Sequence, residues 1–194
     1  MNFKLVFKLA GKTLLVAAAC MVLPLLVTLL YREDPMPFLS AMGITALAGL
    51  LLSLLRADTR FNSREGFFSA GLIWLLVGFF GALPFQFSGY FPSFVDCLFE
   101  SISGFTTTGA SILTAVEPLP KGILFWRSFI HWLGGMGILV LTIALLPSLG
   151  ARTLHVMKAE SPGPIISKLV PKSSQSSKIL YGIYFALTMV EFCF

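Results

Sequence analysis

Long uncharged apolar runs restrict this chain more than any other feature. Thr13 to Tyr31, Met36 to Leu55 and Gly66 to Tyr90 contain no charged residue, and Gly122 to Gly150 contains Arg127 and His131 in an otherwise apolar run. A helix needs about 20 mostly apolar residues to cross the hydrocarbon core of a bilayer, so each run meets or approaches a span. A fifth run starts at Ile179 and reaches Phe194 with no polar flank, which reads as the beginning of a further span in a longer protein. The expected fold is all-α and polytopic, with the lipid bilayer as its surroundings.

Composition narrows the function classes. Hydrophobic residues are 56% of the chain and charged residues 12%, whereas a soluble domain carries roughly 25% charged residues. The net charge of +5 does not mark a nucleic-acid binder, because the basic residues lie between apolar runs rather than together on one face. Cys20, Cys97 and Cys193 sit in apolar surroundings without a CxxC pair, so neither a disulfide framework nor a zinc site is indicated, and no cofactor is expected. Lys4, Lys8 and Lys12 ahead of Ala17 to Cys20 are reminiscent of a leader peptide, but the apolar run continues through Pro24 to Tyr31, too long for its hydrophobic region.

Basic residues are retained on the cytoplasmic side. With the N-terminus inside, Lys4, Lys8, Lys12, Arg56, Arg60, Arg64, Arg152, Lys158, Lys168, Lys172 and Lys178 are cytoplasmic, and only Arg32, Lys121 and Arg127 lie toward the outside. For this to hold, the chain between Tyr90 and Gly122 must start and finish on the outer side, as an ordinary loop or as a re-entrant one.

That stretch reads SFVDCLFESISGFTTTGAS from Ser93. Ser93 with Asp96 three residues on is a capping-box pattern, and Gly104 marks an expected helix end. Ser93 to Ser103 would make about 16 Å of helix, half a bilayer. The Gly-bounded, Thr-rich return, residues 104–110, is the kind of segment that offers carbonyls and hydroxyls to a dehydrated cation. Gly109 would allow a backbone angle closed to other residues. A Thr/Gly turn in an outer loop is the plainer alternative.

Asp96 to Ser111, with FESISGFTTTGAS at its centre, resembles the first pore loop of the Trk/Ktr potassium-uptake family. So do LPKGILFWRSFIHWLGGMGILVLTIALLP (Leu119 to Pro147), AESPGP (Ala159 to Pro164) and the LLYRED turn after the first span. The resemblance covers essentially the whole chain. It implies two leading helices in residues 1–65 and a first repeat of a potassium-channel-like fold in residues 66–150. That repeat would comprise outer helix 66–90, pore half-helix 93–103, filter 104–110 and inner helix 122–150. A cytoplasmic linker would follow at 151–178, then the start of a second repeat at 179–194. The implied filter residues are Thr107 and Thr108 first, with Thr106 and Gly109 beside them, and potassium is the substrate.

Also implied are residence in a bacterial inner membrane, a homodimeric parent and a cytosolic nucleotide-binding regulatory subunit. That subunit would meet the loops at Arg56 to Glu65 and Arg152 to Lys178. Coupling to protons or sodium stays open.

Glu100 falls in the half-helix, where burying a charge costs about 2.5 to 3.5 kcal/mol on insertion scales. It reads either as a buttress behind the filter, paired with Arg127 and with Gly104 as a further filter-supporting residue, or as an acid that reaches water. Snorkelling would also explain Arg127. His131 reads as a packed, hydrogen-bonded histidine. Gly134, Gly135 and Gly137 read as sites of close helix approach, and Glu191 as an intramembrane acid.

The residues also suggest two further function classes. A serine hydrolase built on Ser103 and His131 would need the serine activated by a neighbouring base, and the glycine expected two residues before such a serine is Ser101. A non-conducting interaction subunit, or a homotetrameric channel subunit, is the other alternative. With one pore loop where a carbonyl filter takes about four, the segment alone is expected not to conduct.

Overall fold

In the computed structural model, residues 3–55, 63–137 and 173–192 are described, and among them the structure is helical with no strand. Helices α1 (Phe3–Cys20), α2 (Val22–Leu30) and α3 (Met36–Ser53) form the leading part. Helices α4 (Ser63–Gly81), α5 (Leu83–Ser88), α6 (Phe94–Phe105) and α7 (residues 121–137) follow, and α8 (Ser173–Phe192) comes last. Outside the described residues lie the continuation of the expected inner helix to Gly150, AESPGP, Arg56, Arg60, Cys193 and most of the expected linker, including Arg152, Lys158, Lys168 and Lys172. Residues 173–178, expected as linker, are already helical within α8.

Two of the expected spans are broken, each for the same reason. Proline lacks an N–H, and its ring collides with the carbonyl four residues earlier. Pro24 therefore interrupts the first span near Cys20, where the Met21 N–H is shared between the Ala17 and Ala18 carbonyls, each at 3.2 Å. Pro84 interrupts the span expected over Gly66 to Tyr90 at Ala82, and Gly89 ends α5 at a φ of 72°. The first span also starts ten residues before Thr13, because Lys4 and Lys8 are part of α1. Among the described residues, Phe3–Leu30, Met36–Ser53 and Phe68–Ser88 are long and apolar enough to cross a membrane.

The unit ending at Gly134 is built on close helix crossings. α1 and α3 meet at Gly11 and Gly49, where a Cβ on Gly11 would lie 2.8 Å from the Gly49 carbonyl oxygen and one on Gly49 would lie 2.9 Å from that of Gly11. Behind them Met21, Phe38, Phe85, Phe105, Trp126 and Ile130 form the buried core. Outward-facing leucines such as Leu26, Leu29, Leu50 and Leu51 stay exposed, as helices solvated by lipid require. Trp126 is fully buried, and its indole N–H donates to the Gly81 carbonyl at 3.0 Å, next to the break made by Pro84.

α7 starts after Pro118-Leu119-Pro120, none of which has a side-chain acceptor to cap it, and the nearby Glu117 carboxylate accepts from Val116 N–H instead. The cap comes instead from Glu33, in the turn between α2 and α3, whose carboxylate accepts from Lys121 N–H at 2.6 Å and Gly122 N–H at 2.9 Å. Gly122 lets this happen, since a Cβ there would strike Thr28 and Phe38. In the second unit, from Gly135 on, a Cβ on Gly135 would strike the Tyr184 ring of α8. Glu191 is exposed on α8.

Removing the Glu33 carboxylate leaves two N–H groups at a helix start without their acceptor. Glu33→Ala is expected to lower the stability of the detergent-solubilised protein by about 1 to 2 kcal/mol, and Glu33→Gln by less, as one acceptor oxygen remains. Thermal unfolding of the three proteins checks this; equal stability would show that the cap is not formed.

Candidate functional site

α6 begins as the sequence predicts. The Ser93 hydroxyl accepts from Asp96 N–H at 3.2 Å and also donates to the Asp96 carboxylate at 2.9 Å, and among the described residues no hydrogen bond joins that carboxylate to the Ser93 N–H as in a full capping box.

The end differs from the reading. Gly104 and Phe105 are the last residues of the helix rather than the start of the filter. The Thr107 N–H bonds to the Gly104 carbonyl at 2.9 Å and the Thr108 N–H to the Ser103 carbonyl at 3.0 Å, the Schellman pattern, which requires a left-handed residue at Thr107. Thr107 takes it, at a φ of 57°. That conformation costs an L-residue roughly 1 to 2 kcal/mol and is rarely seen in a β-branched one. Gly104 is needed for packing instead, because any Cβ there would collide with Ile130 of α7.

Gly109 has a φ of 74°, as its place in the sequence predicts, and a Cβ there would meet nothing within 4 Å, so its constraint is conformational and not steric. Thr106, Thr107, Thr108 and Gly109 are all exposed in this chain. The Thr106 hydroxyl bonds to the Ile102 carbonyl and to the Thr108 hydroxyl, both at 2.8 Å.

Behind this segment lies a buried acid. Glu100 is 1% exposed and pairs with the Arg127 guanidinium of α7, whose side chain is 22% exposed. The Ser111 hydroxyl donates to the same carboxylate at 3.1 Å, and the Ile112 N–H donates at 3.4 Å. One carboxylate therefore joins α6, the returning chain and α7. Of the two readings of Glu100, the paired one fits, and Arg127 is directed to it. Gly134 extends the seam, since a Cβ there would run into the Phe105 carbonyl. His131 is hydrogen-bonded through Nδ1 to the Arg127 carbonyl at 2.8 Å.

The hydrolase reading does not survive this geometry. Ser103 Oγ donates to the Ala110 carbonyl at 2.6 Å, and no hydrogen bond joins it to His131 among the described residues. Sequence reasoning did not single out Ser111 or Glu33. A serine eleven residues beyond a buried acid carries no periodic signal, and the Glu33 contact spans 88 residues.

The family described as TrkH, cation transport protein, matches residues 36–194. The chain belongs to that family. It is 39% identical over 194 residues to the Trk system potassium uptake protein TrkH of Halomonas elongata, a match covering 97% of this chain and 40% of that protein. It is 39% identical to TrkH of Escherichia coli over 197 residues, with the same coverage, and 30% identical to TrkG of Escherichia coli over 188 residues, covering 94% of this chain and 39% of TrkG. The chain thus spans about 40% of the length of these relatives. Members of the family are membrane transporters and not enzymes.

Breaking the buried pair from one side strands a charge. Arg127→Met is expected to destabilise the protein by about 3 kcal/mol, and adding Glu100→Gln to restore most of the loss, because the amide can still accept from Ser111 and Ile112. Unfolding of the single and double variants in detergent measures this. An equal loss in both would mean that the pair is not the buried charge couple described.

Proposed function

We propose that this segment supplies one part of the permeation path of a Trk-type potassium uptake transporter, with the Thr106 to Gly109 backbone as its share of the selectivity filter. The relatives are potassium uptake proteins, which motivates the choice of ion. The observation that carries the reading is the left-handed backbone at both Thr107 and Gly109, directly after a half-helix. The angle is free for Gly109 but strained for Thr107, and strained backbone persists only where its surroundings hold it and concentrates at binding sites. A filter replaces the ion's hydration shell with carbonyl oxygens. The half-helix supports this by turning the negative end of its dipole toward the same place. Glu100, Arg127 and Gly104 act as its support, holding the returning chain against α6 and α7.

In this reading the N-terminus is cytoplasmic in a bacterial inner membrane, and potassium moves down its electrochemical gradient with or without symport of a second cation. The parent is a homodimer that carries a cytosolic nucleotide-binding regulatory subunit on the loops around Arg56 to Glu65 and Arg152 to Lys178. The distribution of basic residues supports the orientation; the partners rest on the family resemblance alone.

In the full-length transporter carrying these residues, Gly109→Ser is expected to lower potassium selectivity over sodium by about tenfold, since a side chain at that φ distorts the carbonyl array. Uptake competition at equal membrane abundance measures it, and unchanged selectivity and rate would remove this loop from the pore. Residues 1–194 alone are expected to insert without conducting, because one loop does not surround an ion. Restored growth of potassium-uptake-deficient cells on low potassium would instead support a homotetramer.

A further inference from the structure

Ser103 is buried, two residues before the end of α6, and it holds the candidate filter at two points. Its carbonyl accepts the Thr108 N–H at 3.0 Å, and its hydroxyl donates to the Ala110 carbonyl at 2.6 Å. In a trans peptide the C=O and N–H point in opposite directions, so fixing the Thr108 N–H also aims the Thr107 carbonyl away from Ser103. The second bond fixes the peptide that follows Ala110. Between these two anchored planes stand only the peptides that carry the Thr108 and Gly109 carbonyls. The Thr106 carbonyl is engaged by the Thr107 hydroxyl at 2.7 Å. Among the described residues no hydrogen bond reaches the carbonyls of Thr107, Thr108 or Gly109.

We propose that Ser103 is a positioning residue for ion selectivity, its hydroxyl setting the exit of the filter so that the Thr107, Thr108 and Gly109 carbonyls hold one spacing. The proposal rests on the reading that these carbonyls meet the ion. The Thr108 anchor is a backbone bond that any residue at 103 would supply. The Ala110 anchor depends on a hydroxyl, and Gly109, the most permissive residue of the stretch, lies immediately before it. Without the hydroxyl, rotation at Gly109 and Ala110 is opposed only from Ser111 onward, where Glu100 takes hold.

The test measures uptake of potassium against sodium in the full-length transporter carrying these residues, at equal membrane abundance. Ser103→Ala is expected to reduce the selectivity ratio about fivefold, the equivalent of one net hydrogen bond. Ser103→Thr, which keeps the hydroxyl, is expected to retain most of the selectivity. A packing defect alone would lower abundance or rate in either variant without separating the two ions. If Ser103→Ala fails to accumulate, Ser103→Cys, similar in volume and a weaker donor, carries the comparison. Parental selectivity in the alanine variant, or in the cysteine variant where that one is used, overturns the proposal. Gly109→Ser separates the two levels of failure. If it lowers selectivity while the Ser103 variants do not, only the role of Ser103 falls; if it too has no effect, the filter reading falls with it.

Discussion

The buried carboxylate of Glu100 is the point on which the packing of α6, the chain that follows it and α7 depends. A charge at 1% exposure in an apolar helix is tolerated only when its partners are all present, and here they come from three separate pieces of chain. Arg127 brings α7, Ser111 and Ile112 bring the return, and α6 carries the acid itself. Because none of the three can move without leaving an unpaired polar group, the non-helical backbone that follows Thr106 is held against α6 and α7. The left-handed Thr107 is then a local cost of about 1 to 2 kcal/mol met by the surrounding bonds.

Around that point the packing is set by what is missing from certain residues. Absent Cβ atoms at Gly104 and Gly134 allow α6 and α7 to approach until Ile130 and the Phe105 carbonyl fill the space. An absent N–H at Pro84 breaks α4 from α5, and the Gly81 carbonyl beside that break accepts the Trp126 indole. In lipid there is little hydrophobic drive between helices, so association relies on close contact and on such polar links.

Much of this was legible because intramembrane chemistry leaves few options. An acid and an arginine in neighbouring apolar segments require partners, which is why Glu100 and Arg127 could be paired from sequence, and a glycine in a Thr-rich return calls for an unusual backbone angle, which Gly109 has. Gly104 misled for an equally physical reason. Glycine is the usual left-handed residue at a helix end, so the helix was expected to stop there; in the fold that glycine is consumed by packing and a threonine accepts the strained angle. The breaks at Pro24 and Pro84 were hidden inside runs whose hydropathy does not change.

The carboxylate of Glu33 has a bearing on how the molecule is assembled. It belongs to a hairpin that is synthesised early, yet the N–H groups it accepts from lie 88 and 89 residues later. The hairpin must therefore remain inserted, with that turn kept at one membrane face, while α4 to α6 are made and threaded beside it. Only when Lys121 emerges at the same face does the contact close. The leading helices are in this sense a template that waits, and a loop of that length closes slowly compared with a local turn. Their place ahead of α4 to α7 thus fixes the order in which these helices can be completed.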